Sequence, residues 1–124
     1  MPKIPDGPDW QERTVTLVMG DGTRPKVRAK VYGAIAVSPA AGIRETGRWA
    51  VTSTTTGLQL GLFPSEEEAL EFGRVVWERG CLAFRQVTRE KIIEKVPPTL
   101  LTWIMACRRA GKVVPFPKHK ETSQ

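Results

Sequence analysis

Between Arg48 and Gly80 the hydrophobic pattern changes period. Arg48-Trp49-Ala50-Val51-Thr52-Ser53-Thr54 alternates, Thr56-Gly57 supplies a turn, and Leu58, Leu60 and Leu62 repeat at every second position up to Phe63-Pro64. A period of two marks strands. From Ser65 the spacing becomes helical: Ala69, Phe72, Gly73, Val76 and Trp77 share one side, with Glu67, Glu71, Arg74 and Glu78 largely outside it. That pattern predicts a helix over 65–79 with Gly80 as its stop. Ser65-Glu66-Glu67-Glu68 reads as a capping box, in which the amide of Glu68 donates to the Ser65 hydroxyl and the amide of Ser65 donates to the Glu68 carboxylate.

Upstream, 14–19 alternates with Val15, Leu17 and Met19 on one face, and Gly20-Asp21-Gly22 is a hairpin signal. The return strand is read as Lys26 to Val37, placing Val27, Ala29 and Val31 on the core side and Arg28, Lys30 and Tyr32 on the other. A loop over 38–42 and a turn at Thr46-Gly47 lead into the next strand. Downstream, 81–86 reads as a short strand. Thr88 then caps a helix ending at Val96, because Pro97 and Pro98 disfavour helical backbone before them. A last helix over 99–110 is apolar nearly all round and stops at Gly111.

Short turns between successive strands predict antiparallel pairing. The expected fold is α+β: a three- to four-stranded antiparallel meander over 14–63, packed against one amphipathic helix, with a C-terminal helical extension. An extended arm (1–12), a single domain (13–112) and a basic frayed tail (113–124) complete the expected organisation.

At 124 residues the chain fits one domain. It holds no apolar run long enough to cross a bilayer, and Met1-Pro2-Lys3-Ile4-Pro5-Asp6 has no signal-peptide core, so the expected compartment is the cytoplasm, with no membrane partner. Cys81 and Cys107 lack metal-ligand or Cys-x-x-Cys spacing and read as buried thiols. His119, the only histidine, lies in the tail, which removes His-centred triads and His metal sites. Asp6 and Asp9 fall in the arm, Asp21 in a turn, and Glu66, Glu67 and Glu68 in the cap. Gly20-Asp21-Gly22-Thr23 leads into a strand, and Gly111-Lys112 lacks the rest of a nucleotide loop. The expectation is a non-catalytic protein without cofactor or metal.

The net charge of +6 is uneven: seven basic and five acidic side chains fall in 1–47, three and five in 48–80, nine and three in 81–124. Arg24, Lys26, Arg28 and Lys30 recur at every second position, so on a strand they line one face. With Tyr32 continuing the row, and Arg48, Thr52 and Thr54 expected beside it, a basic ribbon predicts nucleic-acid binding, DNA before RNA. Arg108, Arg109 and Lys112 are secondary candidates, though the helix dipole also accounts for cations there. Leu101, Trp103 and Met105 on the apolar last helix mark a candidate protein interface or homodimer contact. The alternative function is therefore a small accessory or inhibitor protein of a phage or mobile element, acting on a host protein complex. A helix-turn-helix reading of 88–110 fails because the second helix lacks a polar outer face.

A small antiparallel sheet followed by a capped helix, across about residues 14–80, is similar in architecture to the DNA-binding modules at the N-termini of phage-type integrases and in plant AP2 domains. That likeness is one of architecture and transfers no residue role.

Overall fold

The computed structural model describes residues 10–19, 21–40 and 47–116. The expected arm over 1–9, Gly20 of the first turn, loop positions 41–46, His119 and the tail from 117 lie outside the described residues.

Five strands, β1 (Gln11–Thr16), β2 (Lys26–Tyr32), β3 (Ile35–Pro39), β4 (Trp49–Ser53) and β5 (Gln59–Phe63), pair in sequence order, each antiparallel to the next. Among the described residues three helices follow: α1 (Glu66–Phe84), α2 (Arg89–Lys95) and α3 (Pro98–Ala110). The class is α+β as expected, with one more strand than the upper expectation.

The extra strand arises at Gly33. The expected strand 26–37 is two strands joined by a tight turn, with Gly33 at φ +64 and Tyr32 paired to Ile35. A Cβ at residue 33 would lie 2.0 Å from the Trp77 ring, so packing as well as backbone demands glycine there. The turn also reverses the parity of the faces. Opposed residues share a face, so Tyr32 and Lys30 lie on the side of Ile35 and Val37, and Val27, Ala29 and Val31 on the other. Reading one continuous strand assigns odd-numbered residues of β2 and β3 to the same face; the hairpin separates them.

α1 covers the face bearing Ile35, Val37, Val51 and Phe63, all buried with Ala69, Phe72 and Val76 of the helix. Phe72 packs between Phe63, 4.7 Å away between centroids, and Trp103 of α3 at 5.2 Å. On the opposite face, Ala29, Val31 and Ala36 form a second, small-residue cluster with Val15. The chain beyond β1 curls toward that side: the Val18 amide donates to the Gly57 carbonyl at 2.9 Å, bringing the first hairpin against the β4–β5 turn. Leu17, Val18, Met19, Ala50 and Thr52 there surround a cavity of about 160 Å³.

Ser65 caps α1 as expected, accepting from the Glu68 amide at 3.2 Å. The Glu68 carboxylate, expected to return to Ser65, instead accepts from the Val113 amide at 3.1 Å. α1 does not stop at Gly80; it kinks there (φ −133, ψ 26) and runs to Phe84, so the strand expected at 81–86 is the end of this helix and a turn. A Cβ at Gly80 would sit 2.6 Å from Leu100 Cδ2 of α3. Thr88 caps α2 through the Lys91 amide, and Gly111 in the left-handed region (φ +71) ends α3. Val113, Val114 and Phe116 pack on the core, so the chain is held further along than the expected start of a frayed tail. Among the described residues no helix is long and apolar enough to cross a membrane.

Candidate functional site

The strand register places Lys26, Arg28, Lys30 and Tyr32 on one face of β2, opposite Thr16, Thr14, Glu12 and Ile35. The row exists, but on the helix side of the sheet. There, Arg28 Nη2 donates to Glu12 Oε1 at 2.9 Å, and Lys30 Nζ lies 2.9 Å from Glu66 Oε2 in the first turn of α1. Tyr32 donates to Glu78 Oε2 at 3.2 Å, with its ring 5.4 Å from that of Trp10. Two of the four expected cations are thus matched by carboxylates. α1 adds more negative charge nearby, and Arg74 is clamped between Glu71 and Glu78, the Glu71 hydrogen bond raising its proton affinity. Pairs this exposed add only about 0–1 kcal/mol to stability. Their larger effect is to cancel the field a polyanion would follow.

Arg24 and Lys26, at the outer end of the row, are exposed and make no ion pair with a described residue. Arg48 does not join them. The bond from the Ala40 amide to the Arg48 carbonyl extends the β3–β4 ladder by one pair, which by alternation turns Arg48 away from Trp49 and from the row. Thr52 is buried on the far face, and Thr54 donates its hydroxyl to the Ala34 carbonyl, so neither stands beside the cations. Asp21 serves its turn: the Thr23 hydroxyl and amide donate to its carboxylate and hold its pKa below the usual value.

α3 separates its three candidates. Trp103 is 2% exposed, its indole Nε1 donating to the Val114 carbonyl at 2.7 Å, and is a core residue. Leu101 is half-buried, and Met105 is 47% exposed. Both border a groove that the sequence reading did not assemble. Arg89, Ile92 and Ile93 of α2 with its cap residue Val96, and Leu101, Ile104, Met105 and Arg108 of α3, face it, and Leu58 and Leu60 of the β4–β5 hairpin complete it. α3 contributes positions i, i+3, i+4 and i+7, the stripe that forms one helical face, and α2 contributes i, i+3 and i+4. That matched spacing was present in the sequence; the hairpin wall was not legible from spacing alone. The turn is pinned there by the Thr55 hydroxyl, which donates to the Gln86 carbonyl at 2.7 Å.

Ile92 and Ile104 are buried in the groove, whereas Ile93, 45% exposed, and Met105 stand at its lips. Its cavity is about 150 Å³. Cavities near 150 Å³ take a benzene-sized group, whereas drug-sized ligands need roughly 300–1,000 Å³. Arg89 and Arg108 border the same cavity, and among the described residues no carboxylate lines it and neither arginine makes an ion pair. Arg109 and Lys112 are exposed at the same end of α3, where Arg109 also suits the dipole. Among the described residues no group of three or more His, Cys, Asp or Glu side chains is placed to hold a metal.

Comparison of the chain with protein-family models, curated proteins and solved structures gives no match. The architectural likeness to integrase-type modules is carried no further.

Proposed function

We propose that this protein is a non-catalytic docking protein that engages a protein partner through the groove between α2, α3 and the β4–β5 hairpin. The observation that carries this reading is the pair of exposed apolar side chains Ile93 and Met105 flanking a cavity sized for one side chain. Interfaces draw most of their affinity from one or two large groups seated in such pockets, and exposed Met is suited to contact surfaces. Ile93→Glu and Met105→Glu should each abolish capture of a specific, nuclease-resistant partner from host extract, while Arg24→Glu with Lys26→Glu leaves it intact. Loss in the second variant and retention in the first would reverse the assignment.

Nucleic-acid binding by the β1–β2 ribbon is the second reading, favoured by Arg24, Lys26 and Arg28 standing exposed along one edge of the fold. An exposed pair such as Arg28–Glu12 costs little to exchange for a phosphate. On this reading duplex DNA is retained at low salt, with a log–log salt slope of about −0.9 per phosphate neutralised. Arg24→Glu with Lys26→Glu should remove that binding.

A further inference from the structure

Resting on the docking reading, we propose that the occupant of the α2–α3 groove is an acidic amphipathic helix of another protein. It would seat one large apolar side chain between Ile93 and Met105 and bring a carboxylate to Arg89 and Arg108. Three observations converge. The cavity of about 150 Å³ has room for one anchor rather than a small-molecule ligand. The α3 wall presents a ridge at i, i+3, i+4 and i+7, and the α2 wall adds i, i+3 and i+4 before its cap residue Val96, a surface into whose grooves a third helix packs. Two guanidiniums border that apolar floor, and among the described residues no carboxylate lines it or pairs with either, so positive charge stands where an incoming acid would be most useful.

The same charge argues against two rival occupants. A second copy of this chain, related by a two-fold axis, would bring Arg89 and Arg108 of both copies to one interface and set four cations together. Nucleic acid would leave Ile93, Leu101 and Met105 facing phosphates and sugars.

The test is fluorescence anisotropy with the full chain and two labelled model peptides, one amphipathic helix of Leu, Ala and Glu and its counterpart with every Glu replaced by Lys. The acidic peptide should bind at least about tenfold more tightly than the basic one, weakening with salt. Arg89→Glu with Arg108→Glu should invert that preference, and Met105→Glu should remove binding of both, each variant first checked for an unchanged circular dichroism spectrum and melting temperature. Equal affinity for the two peptides, or binding of neither, overturns the inference. Sedimentation showing a dimer that Met105→Glu dissociates also overturns it and gives the groove to a second copy. The docking reading is judged separately: if nuclease-resistant partner capture remains sensitive to Met105→Glu while the acidic peptide fails, the groove is a docking site for a different chemistry.

Discussion

The indole of Trp103 donates to the carbonyl of Val114 at 2.7 Å, so a buried residue of α3 holds the segment that leaves that helix. Phe116 then packs edge-on to Trp103 at 5.5 Å, under the Arg79 guanidinium at 4.0 Å. Val113 is fixed by Glu68. Three side chains from different parts of the fold thus hold 113–116 on the core.

Trp103→Phe keeps an aromatic ring against Phe72 but leaves the Val114 carbonyl without its donor. The expected cost is about 1–3 kcal/mol, seen as a fall of several degrees in Tm. Amide exchange at Val113 and Val114 should accelerate in the same variant, whereas exchange in β3 should follow only the global change.

Gly33→Ala should be more damaging than an exposed turn position suggests. The left-handed backbone costs an alanine roughly 1–2 kcal/mol, and its methyl would meet Trp77 at 2.0 Å. Trp77→Leu, damaging alone, should recover part of the loss when combined with Gly33→Ala. A double-mutant cycle by chemical denaturation measures that coupling, and strict additivity would argue against the contact.

Gly33 also explains where sequence reading succeeded and failed. The cap at Ser65, the alternation from Trp49 to Phe63 and the Thr88 cap are local signals, and the elements appear where those residues put them. A two-residue turn interrupts no hydrophobic spacing: Val27, Ala29, Val31, Ile35 and Val37 keep odd numbers through it. Only pairing reveals that the face has changed, and that one reversal carried the cationic row from open solvent to the side of an acidic helix. The row's composition was legible, the pairing of Arg28 with Glu12 and of Lys30 with Glu66 was not, because both partners come from other elements. Gly80 misled for a related reason: glycine ends helices and also admits close neighbours, and Leu100, twenty residues on, decides which applies.

If the β1–β2 ribbon contacts DNA, Glu12→Gln with Glu66→Gln should raise affinity at low salt by freeing Arg28 and Lys30. Electrophoretic mobility shifts across a salt series would check this. An unchanged affinity and slope would remove those two cations from any phosphate-binding role.

Cys107 is buried, and desolvation pushes its thiol pKa up, with a hydrogen bond from the Val114 backbone pulling the other way. The folded chain therefore keeps this proton at pH values where the unfolded chain has lost it. Its contribution to stability is constant below about pH 8.5 and declines as pH rises through the folded value. A Cys107→Ala variant should show a shallower alkaline loss of stability than the parent. At neutral pH a thiol reagent should modify half-exposed Cys81 first, with Cys107 reacting only on unfolding.

The bend at Gly80 divides one helix into a long rod and a single closing turn, Cys81–Phe84, with separate duties. The first lies across the sheet as a roof; the second leads the chain toward α2, which supplies one wall of the groove. A single residue without a side chain is the elbow between them, and any bulkier replacement would press on Leu100 and push the helix bundle apart at that point.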